Sequence, residues 1–142
     1  MSKFFILFFL FSSTTFAGTV ILQKHAVSGY VMPEHSFVKD CKVYREGYME
    51  TETVNGDGTA IGTSRLLAGT QINIIRILNR LARQGSISET VNPCDIGTTI
   101  VKGFHGHQEV ELESSLDCGS KRLNGSAAAN VLRSMAQEIC GF

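Results

Sequence analysis

The chain after residue 17 begins with the apolar run Val20-Ile21-Leu22, and two later stretches, residues 37–44 and 48–54, have the two-residue period that is typical of β-strands. The pattern predicts three strands, at residues 20–27, 37–44 and 48–54. Gly47 supplies a tight turn between the second and third strands, and Asn55-Gly56-Asp57-Gly58 ends the third. Residues 59–67 leave two interpretations open, a loop or a further edge strand through Ala60 and Ile61.

A change to helical spacing predicts a first helix that begins at Gly69-Thr70, with Thr70 as its N-cap and Gly85 just past its end. Apolar residues fill one side of this helix, namely Ile74, Ile75, Ile77, Leu78, Leu81 and Ala82. Arg76, Arg80 and Arg83 lie nearly opposite. We therefore expect the aliphatic side to be buried against the sheet and the arginine side to face water.

A second helix is predicted at the C-terminal end, where it begins at Ser126 and ends at Cys140-Gly141. Its apolar face consists of Ala128, Val131, Leu132, Met135, Ala136 and Ile139. Cys140 lies just off that face, where it can reach a neighbouring strand.

A β-hairpin is predicted between Cys94 and Cys118, because each cysteine lies twelve residues from Gly106, where the chain reverses. Residues 98–101 approach the turn with β-branched side chains, and residues 107–113 leave it in strict alternation. We expect a disulfide to close the open end of this hairpin. Residues 86–92 and 117–125 are predicted to be connecting loops.

Strands followed by one helix, a hairpin and a last helix predict an α+β fold. We expect an antiparallel sheet of about 4–6 strands with both helices packed on one face. A doubly wound parallel sheet would need helices between most of its strands, and this chain does not have them. Residues 18–142 have the length of a single small domain.

Residues 1–17 have the three parts of a secretory signal peptide: a basic start, an uninterrupted apolar run from Phe4 to Phe11, and a small-residue exit. We expect cleavage after Ala17 and export to the periplasm or the extracellular space. Six of the nine phenylalanines lie in this leader, so the core of the remaining chain must be mainly aliphatic.

The charge of residues 18–142 is nearly balanced, with twelve basic and thirteen acidic side chains once Lys3 is removed. Such a balance gives no general attraction to nucleic acid or to an anionic membrane. We therefore expect neither as a partner, and no sequence motif calls for a cofactor.

All four cysteines follow residue 17, and an even number in an exported domain predicts two disulfides. No Cys-x-x-Cys spacing favours zinc. About fifteen helical residues would carry Cys140 roughly 20 Å from the helix start near Cys118, too far for a bond. Hairpin symmetry favours Cys94 with Cys118, which leaves Cys41 with Cys140.

The segment before the hairpin is a candidate binding loop, formed by Asn92, Pro93, Asp95 and Ile96 around Cys94. We expect it to be extended, stiffened by proline and held by the disulfide, so that a protein partner would order it at little entropic cost. The general plan of sheet, two helices and two disulfides resembles that of exported inhibitors of the subtilisin-inhibitor type. This resemblance is one of architecture, without a shared motif.

Arg76, Arg80 and Arg83 form a basic stripe that is a candidate site for an anion, although such a stripe is also typical of a solvated helix face. His105 and His107 alternate with Glu109, Glu111 and Glu113, so one strand face would carry all five. The two imidazoles are a weak alternative as a metal site, because carboxylates along one strand lie too far apart to share an ion.

No nucleophile elbow or other catalytic motif is found, and His25 and His35 have no recognisable partner in the sequence. The leading hypothesis is therefore an exported domain that binds a protein or a ligand, for example as a peptidase inhibitor, and performs no chemistry. A metal-binding protein that uses His105 and His107 is the first alternative. A hydrolase with an unrecognised site is the second, and it requires a pocket that holds histidines together with a carboxylate.

Overall fold

The computed structural model describes residues 18–142, so the predicted leader lies outside the described residues. The strands are β1 (Val20–Val27), β2 (Phe37–Tyr44), β3 (Tyr48–Asn55), β4 (Ala60–Leu66), β5 (Ile87–Val91), β6 (Thr98–His105), β7 (Gln108–Ser115) and β8 (Ser120–Asn124). The helices are α1 (Gly69–Ala82) and α2 (Ala127–Cys140), and a single 3₁₀ turn covers Pro33–His35. The three predicted N-terminal strands and both predicted helices are confirmed.

The strands form one sheet in the order β4-β3-β2-β1-β6-β7-β8-β5, and every neighbouring pair is antiparallel. The predicted antiparallel α+β fold is confirmed, but the expected number of 4–6 strands is wrong because the sheet has eight. Both predicted connecting loops contain a five-residue strand, β5 and β8, and these two strands pair with each other. Every side chain of β5 is exposed, so this edge strand has no buried face that would impose an alternating pattern.

The core lies between the sheet and the helices, and both helices contact β1, β6 and β7 as well as each other. The sheet contributes mainly Leu22, Cys41, Val43, Val101, Val110 and Leu112.

Lys24 is also buried, and burial lowers its pKa while the nearby Glu113 raises it. The ammonium group of Lys24 donates a hydrogen bond to the backbone oxygen of Phe142.

The side of α1 that is buried agrees only in part with the predicted one, because Ile75 and Ala82 are buried and Leu78 packs against the core. The buried row is Ile72, Ile75, Asn79 and Ala82, which has the helical spacing of three, four and three residues. Ile74, Ile77 and Leu81 are instead exposed, by 46%, 61% and 56%. Aliphatic residues extend most of the way around this helix, so their periodicity alone could not identify the buried side.

The two helices begin in different ways. Ser126 caps α2 as predicted, because its Oγ accepts a hydrogen bond from the backbone N–H of Ala129 at 3.1 Å. Gly141 ends α2 with a φ of +74°. The predicted N-cap of α1 is wrong: the helix begins one residue before Thr70, and the backbone N–H of Ala68 donates to Oε1 of Gln71 at 3.2 Å.

Two disulfides cross-link the fold, with the pairing that the sequence favours. Cys41 on β2 is bonded to Cys140 at the end of α2, with the Cα atoms 5.8 Å apart. Cys94 is bonded to Cys118 across the open end of the β6–β7 hairpin, with the Cα atoms 4.1 Å apart. Gly106, with a φ of +63°, lies in the turn of that hairpin.

Paired cysteines of this kind are typical of an oxidising, extracellular-type environment. Among residues 18–142, neither helix has the length and apolar character that crossing a membrane requires.

The two disulfides should contribute unequally to stability. Cys41–Cys140 spans 99 residues and Cys94–Cys118 spans 24, so the chain-entropy model assigns them about 4.7 and 3.5 kcal/mol. We expect the double variant Cys41→Ala/Cys140→Ala to lose more unfolding free energy than Cys94→Ala/Cys118→Ala, as measured by urea denaturation. The opposite order would contradict this account of the fold.

Candidate functional site

A cleft of about 540 Å³ lies between α1, the start of β1 and the β6–β7 turn. Antiparallel pairing brings these parts together, because Val20 at the start of β1 pairs with Tyr44 at the end of β2, and β6 turns into β7 beyond His105. The β2–β3 turn reaches the same end of the sheet. Four separate segments of the chain therefore meet around one opening.

Basic side chains dominate the polar lining of the cleft. Arg76 and Arg80 come from α1, Arg45 comes from the β2–β3 turn, and His105 is the last residue of β6. Among residues 18–142, no aspartate or glutamate lines the cleft. None of the three arginines forms an ion pair within the described residues. The cleft is therefore electrostatically suited to an anion.

Some charged side chains elsewhere on the sheet are paired. Lys102 Nζ lies 3.0 Å from Glu109 Oε1, and the guanidinium of Arg122 lies 3.3 Å from Glu111. The hydroxyl of Tyr44 donates to Glu50 at 2.8 Å, and burial together with this bond raises the pKa of Tyr44 to about 12. Compared with these pairs, the arginines of the cleft are available to a ligand.

Hydrogen bonds from the side chain of Asn79 to the backbone hold the floor of the cleft where β1 and β6 separate. Leu22 pairs with Gly103, and beyond that pair the two strands have no further register partners. Asn79 on α1 fills this gap: its Nδ2 donates to the carbonyl of Ile21 at 2.7 Å and to the carbonyl of Phe104 at 3.1 Å. Ile21 is the extra residue of a β-bulge, since Val20 pairs with Tyr44 and Leu22 with Val43.

The close approach of α1 to the sheet depends on a glycine. A Cβ atom at Gly103 would lie 2.0 Å from Oδ1 of Asn79, which is far inside van der Waals contact. Asn79 is completely buried, and its Oδ1 has no hydrogen-bond partner in the described structure. A larger residue at position 103 would therefore push the helix away and open the floor of the cleft.

The structure separates the three arginines that the sequence groups together. Arg76 and Arg80 line the cleft, but Arg83 is the exposed C-cap residue of α1 and lies outside it. Two of the three residues of the predicted anion site, Arg76 and Arg80, therefore line the cleft together with Arg45.

The expected row of histidines and glutamates on one strand face is wrong. His105 ends β6, His107 lies in the turn, and β7 begins only at Gln108. Among residues 18–142, no three His, Cys, Asp or Glu side chains lie close enough to hold a metal ion together. His105 instead joins the arginines of the cleft.

The candidate binding loop lies at the opposite end of the sheet and is bent, not extended as expected. Asp95 has a φ of +67°, and the backbone bends through residues 94–96. Asn92 is buried, and its Nδ2 donates to Ser115 Oγ at 2.7 Å and to the carbonyl of Leu116 at 3.1 Å. Pro93, Asp95 and Ile96 remain exposed.

His25 has a carboxylate partner, Asp40, that the sequence alone did not reveal. Nδ1 of His25 lies 2.8 Å from Oδ1 of Asp40 across the β1–β2 pair. The pair is partly exposed on the sheet, and its nearest cross-strand neighbours are Ile100 and Glu52, which offer no nucleophilic hydroxyl. Among the described residues, the lining of the cleft itself includes one histidine, His105, and no aspartate or glutamate.

Sequence reasoning missed several residues of the cleft. Arg45 carried no signal, because only the register of three strands brings its turn beside α1. Ile77 and Leu81 were assigned to the core because of their apolar character. Asn79 did carry a signal, since it is a polar residue in an otherwise apolar helical row.

Removing the amide of Asn79 should destabilise the fold around the cleft. Asn79→Ala leaves two carbonyl groups without their donor, and we expect a loss of about 2–4 kcal/mol in unfolding free energy. Asn73→Ala, an exposed asparagine on the same helix, is the matched control and should change stability by less than about 0.5 kcal/mol. Equal effects in urea denaturation would show that the Asn79 bonds do not anchor α1.

Searches find no matching protein-family model, no similar curated protein and no similar solved structure for this chain. A functional assignment therefore rests on the geometry described above.

Proposed function

We propose that this chain is an exported binding domain that holds an organic anion in the cleft between α1 and the β6–β7 turn. The observation that carries the proposal is the convergence of Arg45, Arg76 and Arg80 on a cleft without a carboxylate. Guanidinium groups form strong, charge-assisted hydrogen bonds with carboxylate and phosphate oxygens. A cleft of this volume matches the size of sites that bind small molecules.

Export is the second part of the proposal. It is supported by the signal-peptide pattern of residues 1–17 and by the two disulfides, which form in oxidising compartments. We also take both helices to cover the same face of the sheet. Their contacts with the same three strands and with each other support this arrangement.

The proposed role is binding without chemistry. A catalytic site needs a nucleophile or an acid–base pair in mutual reach, and the described lining of the cleft holds one histidine, His105, and no aspartate or glutamate. The proposal assigns His105 a hydrogen-bonding role beside the arginines, in place of the metal-binding role of the alternative hypothesis.

Phenyl phosphate is a suitable first probe, because it combines a doubly charged head with a small apolar ring. We expect it to shift the backbone amide resonances around the cleft in NMR titrations. Arg76→Gln and Arg80→Gln should each weaken binding about tenfold, because each loses a charge-assisted hydrogen bond. Arg83→Gln, on the same helix but outside the cleft, should leave the affinity unchanged.

Raising the salt concentration should also weaken this binding, since partly exposed charges are screened. Equal losses in the Arg76→Gln and Arg83→Gln variants would contradict the proposal, because a general charge effect would then explain the binding. Resonance shifts confined to the other end of the sheet would contradict it as well.

A second candidate function is the binding of a protein, for example a peptidase, by the loop of residues 92–97. The specific observation in its favour is that this exposed loop is held at several points. Cys94 is cross-linked to Cys118, and the N–H of Ile96 donates to Asp117 Oδ1 at 3.2 Å. Gly29 packs so closely that a Cβ there would lie 2.5 Å from the carbonyl oxygen of Asp95. Such a loop loses little entropy when it binds.

Incubation with a panel of extracellular endopeptidases tests this second candidate. If the loop binds a peptidase, the oxidised protein should inhibit at least one of them, and Ile96→Asp should reduce the inhibition about tenfold or more by placing a charge in the contact. Ile61→Asp, an exposed isoleucine on the far edge strand β4, is the control and should inhibit normally. Absence of inhibition across the panel would remove the peptidase version.

A further inference from the structure

An apolar stripe runs along the exposed side of α1. It consists of Ile74, Ile77 and Leu81, which lie within about 60° of one another around the axis of a helix with 3.6 residues per turn. Each is about half exposed. The stripe extends over about 10 Å, the length of seven helical residues.

The core does not explain these three residues, because α1 packs through a different row. Ile72, Ile75 and Ala82 already provide the buried apolar contacts of this helix. Contiguous exposed aliphatic residues at the edge of a cleft are typical of a surface that an apolar ligand group covers. Ile77 and Leu81 also line the cleft, so the stripe begins inside it and continues past it to Ile74.

The stripe borders the basic part of the same site. Arg80 lies three residues after Ile77 and Leu81 lies four residues after it, so both side chains are neighbours of Ile77 on the helix surface. Positive charge and exposed aliphatic surface are therefore adjacent on one element. A ligand that satisfies both must carry an anionic group and an apolar group next to each other.

We propose that the ligand is a single-chain anionic amphiphile, whose phosphate or carboxylate head binds Arg45, Arg76 and Arg80 and whose alkyl chain lies along Ile77, Leu81 and Ile74. This inference rests on the proposed function and adds the chemical class of the ligand. The alkyl chain can extend past the cleft, because Ile74 lies outside the cleft lining and is exposed to solvent.

A series of alkyl phosphates separates the two parts of the site. The probes are inorganic phosphate and methyl, butyl and octyl phosphate, titrated by calorimetry below any micelle-forming concentration. Each fully buried methylene group would increase affinity about fourfold. For a half-covered chain we expect octyl phosphate to bind about tenfold more tightly than butyl phosphate. Octyl glucoside, with the same chain and no charge, should bind far more weakly than octyl phosphate.

A double variant and a control test whether the alkyl chain of the ligand contacts the apolar stripe. Ile77→Ser/Leu81→Ser should reduce the affinity for octyl phosphate to about that for butyl phosphate and leave the affinity for inorganic phosphate unchanged. Val131→Ser, a similarly exposed aliphatic position on α2, is the control and should bind octyl phosphate normally. Because all three positions are exposed, these substitutions leave the core intact, and urea denaturation of each variant checks this.

The possible failures can be told apart. Equal affinities for methyl and octyl phosphate, with the Arg76 dependence retained, would overturn the amphiphile inference and leave the anion site standing. Binding that does not change in Arg76→Gln would overturn both. Sedimentation with phosphatidylglycerol vesicles distinguishes free amphiphile from a bilayer surface: we expect the protein to remain in the supernatant. Binding to vesicles without binding to octyl phosphate would also overturn the inference.

Discussion

The position of α1 on the sheet depends on the side-chain amide of Asn79. Its two hydrogen bonds satisfy the carbonyl groups of Ile21 and Phe104 where β1 and β6 separate, and a buried carbonyl without a donor costs free energy. The bonds fix both the height of the helix above the sheet and its rotation about its own axis. Gly103 permits this approach, since a Cβ there would collide with Asn79.

The rotation of α1 decides which of its side chains a ligand can reach. With Ile72, Ile75, Asn79 and Ala82 directed into the core, the surplus aliphatic residues remain on the surface beside Arg76 and Arg80. A helix rotated to bury Ile74 and Ile77 would have an ordinary solvated arginine face and no amphipathic cleft. The binding site proposed here is thus a consequence of one polar residue in the packing row.

The local pattern of the sequence was sufficient for much of the fold. Apolar and amphipathic stretches bounded by turn residues predicted β1 to β3, and the spacing around Gly106 predicted the hairpin. Helix length together with hairpin symmetry predicted the disulfide partners of Cys41 and Cys94. The local pattern failed to predict strands and cleft residues that depend on partners distant in the sequence. β5 and β8 stabilise each other by pairing, and neither has an apolar face that reveals it alone. Arg45 belongs to the cleft only through strand register.

The two ends of the sheet are held by different interactions. At the loop end, Cys94–Cys118 and the close approach of Gly29 to Asp95 restrict the backbone covalently and sterically. At the cleft end, the hydrogen bonds of Asn79 and that from the N–H of Arg45 to the carbonyl of Thr19 at 2.8 Å act together with the close packing of Gly103 on Asn79 and the stacked rings of Tyr44 and Tyr48. These contacts are not covalent, so a ligand that bridges α1 and the β2–β3 turn would add stability there by binding the folded state in preference to the unfolded chain.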